Sequence, residues 1–143
     1  MLNVKTLFLY TESATHAGTG TGLGAVDLPI QREQTTGYPI IQGSGVKGAI
    51  RSQSPSTDAE KAKDKNVVFG PKSDPNSPPT FAGAAAFGDA RVLLFPVRAL
   101  NGVFVWITCR SVLARFVRDC HPPDVPPLPP LLSGDQALVS SQD

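Results

Sequence analysis

HAGTGTGLGAVDLPIQREQTTGYPIIQGSGVKGAIR, residues 16–51, is the stretch that decides the fold and holds most of the chemistry. A glycine-rich segment leads to an acid, Asp27, and a second glycine turn precedes an amphipathic run in which Val46, Ala49 and Ile50 recur at helical spacing. This spacing predicts a helix with those three side chains facing the core. Glycine lets backbone approach a ligand closely, and a helix N-terminus presents N–H groups to an anion. A carboxylate among such features indicates chemistry on a phosphodiester.

The predicted helix also presents a basic face. Lys47 and Arg51 lie one helical turn apart, and Gly43, Ser44 and Gly45 form its N-terminus, with Ser44 as the expected cap. Backbone amides and two cations suit a nucleic-acid backbone, which such groups bind without reading its sequence. The alternative is a solvated helix face with no ligand.

Outside this stretch, apolar runs predict strands at 4–10, 82–87, 92–97 and 103–108, and a second helix that begins at Ser111. Residues 52–80 are polar and rich in proline and serine, which predicts a flexible insertion that contains a frayed helix. The proline-rich segment 121–134 predicts a stiff linker. Strands mixed with helices in this order predict the α+β class.

Composition excludes several classes of protein. A chain of 143 residues with 41% apolar residues predicts one domain, and its 13 Gly and 14 Pro predict many loops. No apolar run reaches the roughly 18 residues of a membrane-spanning helix. The two cysteines, Cys109 and Cys120, lack metal-site spacing, which favours a reduced, cytoplasmic protein.

Charge is segregated along the chain although the net charge is only +1. No acid occurs in 34–57, which contains Lys47 and Arg51, or in 91–118, which contains five arginines. Two such segments predict a shared anion-binding surface if the fold brings them together. The alternative is that both are solvated faces of strands and helices.

A nucleotide-binding loop is the competing interpretation of the glycine-rich segment. Gly20, Gly22 and Ala25 fit the pattern G-x-G-x-x-A. However, Pro29 stands where the helix of such a site should continue, and no acid follows in 34–57 to hold a ribose. The chain also lacks a P-loop, so a dinucleotide or nucleoside triphosphate enzyme is excluded.

Two blocks of the sequence resemble a known family. GTGTGLGAVDLPIQREQTTGYPIIQGSGVKGAIR (18–51) and GAAAFGDARVLLFPVRALNGVFVWITCRSVLARF (83–116) are similar to the RAMP-superfamily backbone subunit of type III-B CRISPR effectors, the Cmr complex. The resemblance implies a ferredoxin-like core, related to the RNA-recognition motif. It also implies that 1–143 is the truncated N-terminal part of a single RAMP domain.

The resemblance further implies a function in antiviral defence. The expected protein is a CRISPR RNA-binding backbone subunit and a metal-dependent endoribonuclease that cleaves complementary target RNA within the assembled complex. Its expected partners are the CRISPR RNA, the target RNA, copies of itself in a filament and other Cmr-type subunits, with no membrane. The alternative is a non-catalytic RNA-binding scaffold subunit, or an inactive fragment of one.

By the same resemblance, Asp27 is the catalytic carboxylate. It either holds a divalent cation, Mg²⁺ or Mn²⁺, or positions the RNA 2′-hydroxyl for in-line attack. The alternative from the residues alone is a turn or cap before Pro29. His16 is a second catalytic candidate because imidazole exchanges protons near neutral pH, although an RNA contact is equally open. Gln31 and Arg32 are expected to contact RNA.

Overall fold

The computed structural model of the chain describes residues 3–19, 29–54, 59–72, 76, 81–100, 102–125, 127–134 and 136–138. Within these ranges the chain forms three α-helices and four short β-strands, so the predicted α+β class is confirmed. Contacts divide the chain into two units, Leu9–Arg91 and a second unit formed by Met1–Phe8 with Val92–Asp143. None of the helices in the described ranges is long and apolar enough to cross a bilayer.

The unit Leu9–Arg91 contains two helices and one two-stranded sheet. Strand β1 (Ile40–Ile41) pairs antiparallel with β2 (Ala90–Arg91), so that Ile40 lies opposite Arg91. Helix α1 (Gly43–Gln53) begins directly after β1, and α2 (Ala59–Phe69) follows it. The segment predicted as an insertion, 52–80, therefore contains a helix of three turns.

Helix α1 confirms the predicted helix. Its apolar face is narrower than predicted, because Val46 is 8% exposed whereas Ala49 is exposed and Ile50 is half-buried. The expected Ser44 cap is wrong, since no side chain of the neighbouring residues caps the helix. The Gly43 N–H is instead donated to Oδ1 of Asp89 at 2.8 Å.

The C-terminus of α2 is covered by the segment that follows it. The Ala84 and Ala85 N–H groups donate to the carbonyls of Val67 and Val68, at 2.8 and 3.1 Å, so two of the last helical carbonyls have partners. The ring of Phe69, 8% exposed, stacks on Phe87 with centroids 5.8 Å apart. The strand predicted at 82–87 is therefore wrong, because its backbone satisfies the end of a helix instead of a sheet.

The second unit contains a β-hairpin and a helix. Strand β3 (Phe95–Arg98) pairs antiparallel with β4 (Phe104–Ile107). The strand predicted at 103–108 is confirmed, and the one predicted at 92–97 is confirmed over its last three residues. The strand predicted at 4–10 is wrong. Val4 is 79% exposed, and no described segment pairs with this stretch, although Phe8 contacts Phe116 with centroids 5.9 Å apart.

Helix α3 (Arg110–Cys120) begins one residue before the predicted start. It ends at His121, whose left-handed backbone (φ 45°) lets its N–H donate to the Val117 carbonyl at 3.1 Å. The proline-rich residues that follow lie beside the helix, and Arg110 Nη1 donates to the Pro129 carbonyl. A hollow of about 130 Å³ lies between them, lined by Leu113, Phe116, Val117, Pro122, Asp124, Val125, Pro127, Leu128 and Pro129.

Candidate nucleic-acid interface

A short antiparallel stem, residues 17–19 with 29–31, brackets the glycine-rich segment. The Thr19 N–H donates to the Pro29 carbonyl at 3.1 Å, and the Gln31 N–H donates to the Ala17 carbonyl at 2.8 Å. Residues 20–28 lie outside the described ranges, so the prediction for Asp27 stays a prediction. The stem nevertheless fixes where the chain enters and leaves that segment.

Gln31 joins the stem to the start of α1. Its Nε2 donates to the Gly18 carbonyl at 2.8 Å, and its Oε1 accepts the Gln42 N–H at 2.9 Å. Its backbone carbonyl accepts the Ile40 N–H at 3.0 Å. Both polar atoms of the side chain are thus bonded within the protein, which gives Gln31 an internal role, and its RNA contact stays a prediction.

A tight turn follows the stem. The Glu33 N–H donates to the Tyr38 carbonyl, and the Gly37 N–H donates back to the Glu33 carbonyl, each at 2.8 Å. Gly37 adopts φ 72°, which glycine accommodates without strain. Arg32 Nη1 donates to the Gly37 carbonyl at 2.8 Å, and Arg91 Nε lies 3.8 Å from Glu33 Oε1. Arg32 is exposed, and its RNA contact stays a prediction.

The N-terminus of α1 already has an anion, supplied by the protein itself. The Asp89 carboxylate accepts the Gly43 N–H, and the Gln42 carbonyl accepts the N–H groups of Gly45 and Val46 at 2.8 and 3.1 Å. A carboxylate at this position is favourable because it meets the positive end of the helix dipole. The amides of Gly43 and Gly45, predicted to bind phosphate, are therefore engaged, while Ser44 is exposed.

The structure separates the two cations of α1. Arg51 is half-buried and donates to the Gly70 carbonyl at 2.7 Å and to Asn66 Oδ1 at 3.1 Å, which ties α1 to the end of α2. Lys47 has no hydrogen-bond or ion-pair partner among the residues that the structure describes. Lys47 is therefore the better candidate for a phosphate, and Arg51 is primarily structural.

His16 precedes the stem and is exposed, and its Cε1 lies 3.5 Å from the position that a Cβ on Gly18 would take. Its catalytic role stays a prediction. The described part of the chain contains no group of three or more His, Cys, Asp or Glu side chains that could hold a metal ion. The binding of Mg²⁺ or Mn²⁺ at Asp27 stays a prediction.

Asp89 and Gln42 are the residues of this region that sequence reasoning missed. Asp89 lies 46 residues from its partner Gly43, and no local pattern connects them. Gln42 contributes through its backbone groups, which its side chain does not reveal. The predicted convergence of the two basic segments also stays a prediction, because 34–57 and most of 91–118 belong to different units.

Comparison with known proteins gives one family and several relatives. The model of the RAMP superfamily matches residues 8–134. The CRISPR system Cmr endoribonuclease Cmr4 of Pyrococcus furiosus is 45% identical over 111 residues, which are 78% of this chain and 37% of that protein. The CRISPR system CMR subunit Cmr4 of Saccharolobus solfataricus is 29% identical over 118 residues, with the same coverage.

Solved structures of Cmr proteins are also similar to this chain. A crystal structure of oligomeric Cmr4 from Pyrococcus furiosus matches 77% of this chain with a TM-score of 0.58 and 42% identity. A cryo-EM structure of the type III-B Cmr-beta bound to cognate target RNA matches 70% of this chain with a TM-score of 0.50 and 28% identity. The chain spans about 37% of the length of the first and 36% of the second.

Proposed function

The chain belongs to the RAMP superfamily, and from that premise we propose that it is a CRISPR RNA-binding backbone subunit of a type III-B effector. In this proposal the cytoplasmic complex cleaves complementary target RNA, and Asp27 supplies the catalytic carboxylate. Support comes from relatives named as a Cmr endoribonuclease and a CMR subunit, and from solved structures of an oligomer and of a complex with cognate target RNA. The proposed partners are accordingly further copies of the chain, other Cmr-type subunits, the CRISPR RNA and the target.

One observation carries the proposal: the stem of the glycine-rich segment and the start of α1 are bonded into one framework. Gln31 makes the connection, and α1 presents Lys47 one turn further on. In the sequence, Asp27 precedes by two positions the stem residue Pro29, whose carbonyl accepts the Thr19 N–H. The proposal places the carboxylate of Asp27 and the phosphate-binding cation Lys47 in one site.

The chemistry follows from these groups. Lys47 attracts a backbone phosphate without reading a base, and pairing between guide and target supplies the sequence specificity. Asp27 accepts the proton of the 2′-hydroxyl, whose oxygen attacks the adjacent phosphorus in line. The bond from phosphorus to the 5′-oxygen breaks, and His16 donates a proton to that leaving oxygen. The products are a 2′,3′-cyclic phosphate and a 5′-hydroxyl.

The test is an Asp27→Ala substitution in the assembled effector. We expect target cleavage to be lost while assembly and target binding are retained, because a residue acting only in the transition state does not contribute to ground-state binding. Cleavage of labelled complementary RNA and a gel shift on the same preparation measure both. Full cleavage by the variant would leave the scaffold alternative, and loss of binding would assign Asp27 a structural role.

One further substrate and one further condition separate the chemical routes. A target with a 2′-deoxy nucleotide at each cut position should bind normally and resist cleavage if the 2′-oxygen is the nucleophile. Cleavage in the presence of EDTA tests the divalent cation. Activity that persists in the chelator would remove Mg²⁺ and Mn²⁺ from the proposal, and activity that is lost and then restored by either ion would retain them.

A further inference from the structure

We propose that Gln31 is a positioning residue that fixes the stem of the glycine-rich segment relative to α1. This inference rests on the proposed function, because it concerns how Asp27 is held relative to the phosphate that Lys47 binds. It is an alternative to the RNA contact expected for Gln31 from the sequence.

The side chain of Gln31 links two segments through opposite ends of one amide. Nε2 donates to the Gly18 carbonyl in the first half of the stem, and Oε1 accepts the Gln42 N–H immediately before α1. A primary amide suits this link because it presents a donor and an acceptor on two separate atoms of one side-chain end. Asparagine has the same group on a shorter stem, and glutamate at neutral pH provides only the acceptor.

The backbone of Gln31 places the side chain where it can act as this link. Its N–H donates to Ala17 on one side, and its carbonyl accepts from Ile40 on the other. Residue 31 therefore lies in the middle of three neighbouring segments. Because these backbone bonds do not depend on the side chain, Gln31→Ala leaves the pairing in place and removes only the two side-chain links.

The expected consequence is a loss of catalytic rate without a loss of affinity. Phosphate contacts through Lys47 do not require an exact placement of the stem, whereas in-line attack does. A displacement of about 1 Å between reacting groups can cost about 100-fold in rate. Gln31 touches neither substrate nor scissile phosphate in this proposal, so its effect passes through Asp27.

The experiment compares Gln31→Ala and Gln31→Glu in the assembled effector, with Gln34→Ala as the matched control. Gln34 is exposed in the adjacent turn and makes no side-chain hydrogen bond among the described residues. We expect both Gln31 variants to lower the single-turnover cleavage rate by about 10- to 100-fold with target affinity unchanged. The control should retain the parental rate. A parental rate in either Gln31 variant would overturn the inference.

Amide hydrogen exchange gives a readout that is independent of activity. The Gln42 N–H should exchange faster in Gln31→Ala, which has no acceptor, and at the parental rate in Gln31→Glu, which keeps one. Unchanged exchange in Gln31→Ala would show that the link does not hold the start of α1. If Gln31→Ala does not assemble, the equally long glutamate variant carries the test by its cleavage rate.

The single variants of Asp27 and Gln31, compared with each other, distinguish this inference from the proposed function. Full cleavage by Asp27→Ala alone would overturn the proposed function. An inactive Asp27→Ala together with a fully active Gln31→Ala would overturn only the positioning role.

Discussion

The apolar side chains around α1 and those of the β3–β4 hairpin are held in opposite ways. Val46 in α1 and Phe69 in α2 are each 8% exposed. The Gly43 N–H donates to Asp89 and Arg51 donates to the Gly70 carbonyl, which fixes both ends of α1. All eight residues of the hairpin strands are exposed, including Trp106 at 41%, and the strands are hydrogen-bonded to each other. An isolated two-stranded hairpin is only marginally stable, because each strand needs a covering layer to bury its side chains. Stability in this chain should therefore be concentrated around α1.

The largest expected difference is between two phenylalanines. Phe69→Ala should cost about 3 to 4 kcal/mol, because a stacked and nearly buried ring is replaced by a cavity. Phe104→Ala should cost less than about 1 kcal/mol, because that ring is 47% exposed and its main aromatic partner is Trp106, with centroids 5.3 Å apart. Segment-resolved hydrogen exchange in increasing urea measures the local loss of stability in each variant. Equal losses at the two positions would show that the hairpin is covered as well as α2 is.

Two glycines of the same helix should respond with opposite sign. A Cβ at Gly43 would overlap the Phe87 carbonyl oxygen, so Gly43→Ala should destabilise the α1 region by about 2 to 3 kcal/mol. Gly48 has no atom within 4 Å of such a Cβ, and Gly48→Ala should stabilise the helix by about 0.5 to 1 kcal/mol. Hydrogen exchange across α1 checks both. If Gly43→Ala leaves stability unchanged, the backbone at residues 87–88 moves at little cost and the close packing there contributes little.

The smallest expected effects sharpen the contrast within α1. Arg51→Ala should cost about 1 to 2 kcal/mol, because the carbonyl of Gly70 and the amide oxygen of Asn66 lose their donor. Lys47→Ala should leave stability unchanged and lower the slope of log affinity against log salt by about 0.7 on single-stranded RNA. Thermal unfolding and RNA titrations at several salt concentrations measure the two quantities. An unchanged slope for Lys47→Ala would place its ammonium on a solvated face, and a changed slope for Arg51→Ala alone would reverse the two roles.

Local periodicity predicted the elements that form from neighbouring residues. The apolar spacing in 43–51 located α1, the run in 103–108 located β4, and the pattern after Ser111 located α3 within one residue. These predictions succeeded because helix and hairpin contacts join residues that are close in sequence. The strands predicted at 4–10 and 82–87 failed, since an apolar run becomes a strand only where a partner is available.

The sequence by itself determined the family, the α+β class and the short list of chemical groups, because these depend on residue types and their order. Only the tertiary structure decided what several of those groups do. Arg51 donates to the end of α2, whereas Lys47 has no partner among the described residues. Asp89 lies at the start of α1, and both ends of the Gln31 amide form hydrogen bonds within the protein. The physical reason is that hydrogen bonds are satisfied between groups that are close in space. Of these partners, Asp89 and Gly43 lie 46 residues apart in the chain, and no local pattern carries that information.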